Sequence, residues 1–427
     1  MDDDQLQVDH AESAPSPSDI RAEVERCANP LVEALRSALA ALPAQPRGPQ
    51  ALADRLHLDK VLASRLLKAL QSPDALTALY RLPGPEPLRR VLKSLARAGV
   101  PAARVRAADQ LVGEFERLLA GPLSDRSELD ALLSDLVPDA RREFQQRRKQ
   151  AIFRNLSQLR GVECATLMAC VLLRPSASGE HIDVVWINGM FGLRRLRSSA
   201  SVKIATRRLG PLGSTAGGSA GVTPERTPLN LDGRPVEQGV DVFLSPFCSS
   251  PMPALRVERV GQVVHYHLAG AEFGIERAAD LVFGEVNTGE MPRFVPRDSG
   301  RRRYVFAEIS VPARTLQFDA FVHESLECGE PELIVYDTAF EGVASVNDRA
   351  RDADALDLVE AVEPLREPPA SALSGDVPRY AELVRSVMDR LGWSNARTPG
   401  VYRGFRCRSQ HPLYGTQYTL AFRAQTK

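Results

Sequence analysis

Residues Gln50–Gln71, QALADRLHLDKVLASRLLKALQ, decide how the first part of this chain is read. Gly48-Pro49 opens a helix, because proline loses nothing at a first helical position whose N–H has no intrahelical acceptor. Asp59 stands where a second helix needs its N-cap, with a carboxylate able to accept from the free amides of the next turn. Leu52, Ala53, Leu56, Leu58, Ala63, Leu66, Leu67 and Leu70 recur at helical spacing and predict the facing sides of two short helices joined by a tight turn. The pattern is that of a helix-turn-helix pair.

The same spacing leaves Lys60, Val61, Ser64, Arg65 and Lys68 on the outer face of the second helix. In a pair that binds double-stranded DNA this face enters the major groove, where cations meet phosphates and arginine or serine reads base edges. Arg65 is then the candidate for guanine and the lysines for phosphate. The competing reading is a plain helical hairpin with leucines inside and charges outside. Local charge separates the two: Gln45 to Arg106 carries twelve lysines and arginines against four acids, in a chain of zero net charge. A phosphate-binding footprint requires such an excess.

The order L-A-x-x-L-x-L-x-K-x-x-A-x-R-L-L, Leu52 to Leu67, resembles the N-terminal DNA-binding region of the IclR family and, more loosely, MarR-type winged helix-turn-helix regulators. The resemblance covers residues 31–80. It implies a transcriptional regulator with a glycine in the turn and a β-hairpin wing after the second helix. This chain has His57 in the turn, and SPDALTALYRLPGPEP after Gln71 reads as a short helix and a proline-rich turn.

At 427 residues the chain is too long for one core, and its 44% hydrophobic and 25% charged residues are ordinary for globular proteins. It has no run of eighteen apolar residues, and the acidic, polar MDDDQLQVDHAESAPSPSD is no secretory leader, so no membrane partner and a cytoplasmic location are expected. The six cysteines lack CxxC spacing and read as free thiols. Only six of the 54 basic residues are lysine, a bias typical of GC-rich bacterial genomes.

Around the central pair, residues 1–18 read as a disordered tail and 19–100 as the DNA-binding domain, with Ile20–Leu42 forming two helices divided at Pro30. Residues 101–160 read as a helical connector. The apolar stripe Val105–Leu119 within it serves either as a homodimer seam or as core, and core is the simpler use. A helix from Asp139, its N-cap, to Arg160 carries Arg141, Arg142, Arg147, Arg148, Lys149 and Arg154, which suit a second phosphate contact or a solvated face.

At Gly161 the hydrophobic period changes, and short β-favouring runs bounded by Gly, Pro and Ser follow without βαβ alternation. The fold class is therefore multidomain: an all-α half with the helix-turn-helix, then an α+β half (161–347) with a mainly antiparallel sheet. Residues 348–377 read as a linker containing a short helix at Ala355–Val362. Residues 378–427 read as a helix plus two pairing strands.

Other chemistry finds little support. Gly217-Gly218-Ser219-Ala220-Gly221 has the G-x-S-x-G form but lies in a Gly/Ser/Pro-rich loop rather than a strand–turn–helix. The Gly261-Gln262 turn would set Glu258 opposite His265 and Arg256 opposite His267, and the arginine disfavours a dication there. His181-x-Asp183 and His323-Glu324 lack third partners. Arg194-Arg195-x-Arg197, Arg207-Arg208 and Arg301-Arg302-Arg303 suit either an anionic ligand or partner or plain exposed charge, and exposed charge is the simpler reading. The expectation is a non-enzymatic regulator without metal or cofactor, whose second half senses a small-molecule effector or binds a protein partner. A DNA-independent interaction protein and an enzyme seated in 161–427 are the alternatives.

Overall fold

Helices fill the first part of the chain and strands dominate after Gly161, where the sequence period changes. The computed structural model describes residues 17–43, 46–197, 199–208, 225–229, 231, 243–252, 254–261, 263–268, 277–394 and 402–426. Two compact units divide the chain, Met1–Gln145 and Gln146–Lys427.

The first unit contains α1 (Pro17–Ala40), α2 (Pro49–Leu56), α3 (Lys60–Leu70), α4 (Ala75–Arg81), α5 (Pro85–Arg97), α6 (Ala102–Ala120) and α7 (Arg126–Leu136); the unit boundary falls within α8 (Pro138–Arg160). Most of the sequence-predicted tail lies outside the described residues. The predicted break at Pro30 does not occur: α1 is continuous through it. Pro30 and Arg26, whose carbonyl loses its helical donor, are both exposed, so water can take the place of the missing N–H. Val24, Ala28, Leu31, Val32 and Leu35 stay buried along one stripe on both sides of the proline.

Residues 101–136 are no connector. α6 packs on α1 and α5, α7 packs on α4, and Ala108, Val112, Phe115, Leu118, Leu129 and Leu133 join the same core as α1–α5. The α6 stripe is thus spent on its own unit. No strand lies between Gln71 and Arg160, so the hairpin wing implied by the resemblance is not formed; α4 and α5 stand in its place, started by the Asp74 cap and by Pro85. Asp139 is inside the first turn of α8, not its cap, because the helix begins one residue earlier at Pro138.

The second unit contains β1 (Val162–Pro175), β2 (His181–Arg195), β3 (Val202–Arg208), β4 (Glu225–Pro228), β5 (Leu255–Val260), β6 (Val263–Leu268), β7 (Ala279–Pro292), β8 (Phe294–Val295), β9 (Arg302–Glu308), β10 (Ala313–His323), β11 (Glu332–Asp337), β12 (Val362–Leu365), α9 (Tyr380–Arg390), β13 (Tyr402–Gln410), β14 (Thr416–Arg423) and β15 (Gln425–Thr426). A seven-stranded sheet runs β12-β13-β10-β1-β2-β7-β4, beside sheets β11-β14-β9, β3-β6-β5 and β15-β8. Pairing is mainly antiparallel. β1–β10 and β15–β8 are the parallel pairs among the described strands.

β1 explains the long sheet. Its alternate residues Ala169, Val171 and Leu173 enter one core, while Met168, Cys170 and Leu172 enter the other, which α9 covers. A strand buried on both faces reads as a continuous apolar run, here LMACVLL from Leu167 to Leu173, rather than as an alternation.

Two expectations for the end of the chain are overturned. β13 and β14 do not pair with each other: β13 bonds β10 and β12, whereas β14 bonds β11 and β9. They lie in different layers and meet through side chains, with Phe405 and Phe422 edge to face at 5.9 Å. The predicted linker is also structured. Val362–Leu365 forms an edge strand rather than the end of a helix, and its Pro364 is tolerated because an edge strand has one side free of ladder bonds. Asp376 is fixed by Arg408 through bonds of 2.6 and 2.9 Å.

Candidate nucleic-acid interface

The turn between α2 and α3 forms from local chemistry. His57 takes the left-handed conformation (φ 51°, ψ 48°), and the Leu58 amide donates back to the Ala53 carbonyl at 2.9 Å, which ends α2. Asp59 Oδ1 then accepts from the amides of Val61 (2.7 Å) and Leu62 (3.3 Å), which starts α3. Leu52, Ala53, Leu56, Ala63, Leu66 and Leu70 are buried as predicted; Leu58 and Leu67 are partly so.

On the outer face, Lys60, Arg65 and Lys68 are exposed, Ser64 is half-buried, and Val61 is 73% exposed. The structure separates these five residues. Val61 and Arg65 line a cleft of about 650 Å³, while Lys60, Ser64 and Lys68 lie outside it. Arg65 Nε donates to the Arg81 carbonyl at the end of α4 (3.2 Å), which anchors the guanidinium.

The opposite wall of the cleft is α5, with Arg90, Lys93 and Arg97. In the sequence these cations register only as charge, outside the predicted α3 face. Their signal is positional, since residues at i, i+3 and i+7 share one helix face while Leu88, Val91, Leu92 and Leu95 bury the other. Asp59 is the carboxylate lining the cleft, and it is engaged as the α3 cap. Arg89, next to Arg90, turns away into a pair with Glu116, and that hydrogen bond holds the Glu116 carboxyl below its usual range.

Elsewhere the basic runs of the sequence are divided among separate roles. Lys149 on α8 is buried against Glu360, and Arg142 stands 3.8 Å from Asp139. Arg194 pairs with Glu163, while Arg195 is buried and donates to the Leu268 carbonyl at 3.1 Å. Arg303 is buried and donates to the Pro292 carbonyl.

The β5–β6 hairpin has the predicted register, with Glu258 opposite His265 and Arg256 opposite His267. Burial and then Arg256 lower the His267 pKa. Among the described residues no group of three or more His, Cys, Asp or Glu is placed to hold a metal. His323 Nδ1 meets the Ser325 hydroxyl at 2.7 Å, and Asp183 accepts from the Gly289 amide at 2.9 Å, so both are committed to turns and strands. Gly217–Gly221 lies outside the described residues.

Buried in the second unit is a polar cluster that the sequence did not announce. Asp319, 0% exposed, accepts from Arg406 Nε (2.8 Å) and Nη2 (2.6 Å), from Gln317 (3.0 Å) and from the Tyr380 hydroxyl. Burial pushes the neighbouring Cys170 thiol up, so the thiolate a nucleophile needs is disfavoured there. The cluster joins β10, β13 and α9. It reads as a scaffold.

No family model, curated protein or solved structure matches the chain. No helix among the described residues is long and apolar enough to cross a membrane.

Proposed function

We propose that this chain is a sequence-specific DNA-binding regulator that contacts duplex DNA through the α3 face and the α3–α5 cleft, with the second unit as its ligand-sensing or partner-binding part. The observation that carries this reading is the cleft itself: Arg65, Arg90, Lys93 and Arg97 line it, and the carboxylate beside them is spent on a helix cap. In the absence of a wing, α5 supplies the second set of phosphate contacts. Such contacts set register and orientation, whereas base edges carry specificity. Lys60, Val61, Ser64, Arg65 and Lys68 remain the candidates for the groove, with Val61 suited to the thymine methyl group.

The test is retardation of random duplex DNA by the full-length protein at low salt, followed by selection of bound sequences from a random pool. Arg65→Ala combined with Lys68→Ala should weaken retardation by tenfold or more, taking about 1–3 kcal/mol for a lost base contact. Absence of retardation at low salt would sink the proposal.

A further inference from the structure

The second unit has a polar cavity of about 390 Å³ between the last turns of α8, the starts of β1 and β10, and the turn after β13. We propose that it binds a small phosphate-bearing molecule.

Its lining is rich in donors. Arg154 and Arg314 bring two guanidinium groups to it. The one carboxylate in the lining, Glu163, is neutralised by Arg194 and by Arg314 at 3.3 Å, so the wall keeps a positive balance.

Ser157 is the independent sign of a ligand. It lines the cavity at 2% exposure, and its hydroxyl has no hydrogen-bond partner. A buried hydroxyl left unmatched costs about 1–3 kcal/mol. Helical serines commonly return such a bond to their own backbone, yet this one does not. A bound acceptor oxygen would satisfy it.

His411 is held as a further donor. It sits in the left-handed region (φ 52°), packs on Phe153 with ring centroids 5.2 Å apart, and meets the Gln146 side-chain amide nitrogen at Nδ1, 3.0 Å away. That amide nitrogen also donates to Gln410 Oε1 at 3.3 Å. An amide nitrogen only donates, so Nδ1 accepts and the neutral ring carries its proton on Nε2.

Two guanidiniums, a hydroxyl and an imidazole N–H are the donor set that a terminal phosphate, with its several acceptor oxygens, satisfies best. The volume falls within the roughly 300–1,000 Å³ typical of small-ligand pockets, so the occupant is larger than a bare ion. A pocket of this size holds one molecule rather than a length of nucleic-acid backbone.

The test titrates full-length protein calorimetrically with pyrophosphate and with glucose 6-phosphate at constant ionic strength, with sodium sulfate as the ionic control and a short DNA duplex as competitor. Saturable binding of at least one phosphate probe at one site per chain is expected. Ser157→Ala and Arg314→Ala should each weaken it by tenfold or more, and Ser157→Ala should leave the melting temperature unchanged or raised because it removes an unmatched hydroxyl. Binding of neither phosphate probe, equal binding by both variants, or displacement by sulfate to the same extent would overturn the proposal. So would displacement by the duplex, which would assign the phosphate to nucleic acid. The site shares no residue with the α3–α5 cleft, so the regulator proposal is tested separately.

Discussion

Replacing two cations of the α5 wall puts a number on the cleft. If Lys60 and Lys68 on α3 and Arg90, Lys93 and Arg97 on α5 each neutralise one phosphate, the slope of log affinity against log salt is about −4.5, at roughly 0.9 per contact. Raising salt from about 50 to about 200 mM should then cost roughly 500-fold in affinity. Arg90→Ala with Arg97→Ala should reduce the slope to about −2.7 and cut the loss to roughly 40-fold. Both side chains are exposed, so thermal stability should move by no more than about 0.5 kcal/mol and binding can be read without loss of fold. The assay is fluorescence anisotropy of a labelled random duplex titrated with full-length protein across a salt series. A slope near zero, or one that the double variant leaves unchanged, would refute the assignment of the cleft to phosphates.

Asp319→Asn should destabilise the second unit by about 3 kcal/mol, because it leaves the Arg406 cation without its buried counter-charge; calorimetric melting checks this, and a change under about 1 kcal/mol would show the network to be dispensable. Asp59→Ala should cost about 1 kcal/mol in chemical denaturation through loss of the α3 cap. His57→Gly should stabilise by about 1 kcal/mol, since glycine meets no Cβ penalty at this left-handed position; a loss of stability would mean that the imidazole contributes contacts. Burial, reinforced by nearby arginines, lowers the pKa values of His267, His323 and His411 from 6.5. The unfolded chain therefore binds more protons below that pH, so this share of stability is complete above pH 6.5 and is lost as pH falls through the lower native values. Denaturation midpoints that stay flat from pH 7 to pH 5 would contradict this.

Local chemistry alone determined much of this molecule. Asp59, Pro49 and the leucine spacing specified α2 and α3 before any packing, because caps and one buried stripe act within a few residues of chain. The β5–β6 register followed from a two-residue turn for the same reason. The change at Gly161 was equally plain, since period separates helix from strand.

Only the tertiary structure decided which elements share a core and which charges share a space. Pro30 stays within a helix because apolar residues on both sides of it bury together. β13 and β14 part into different sheets because their partners, β10 and β9, come from distant sequence. Arg90, Lys93 and Arg97 face Arg65 across a gap of some thirty residues, and Ser157 comes to line a cavity with Arg314 and His411, far beyond it in the chain. Spacing reports which residues share a face of one element. What that face meets is settled by burial of the opposite faces, a property of the whole unit that no short stretch contains.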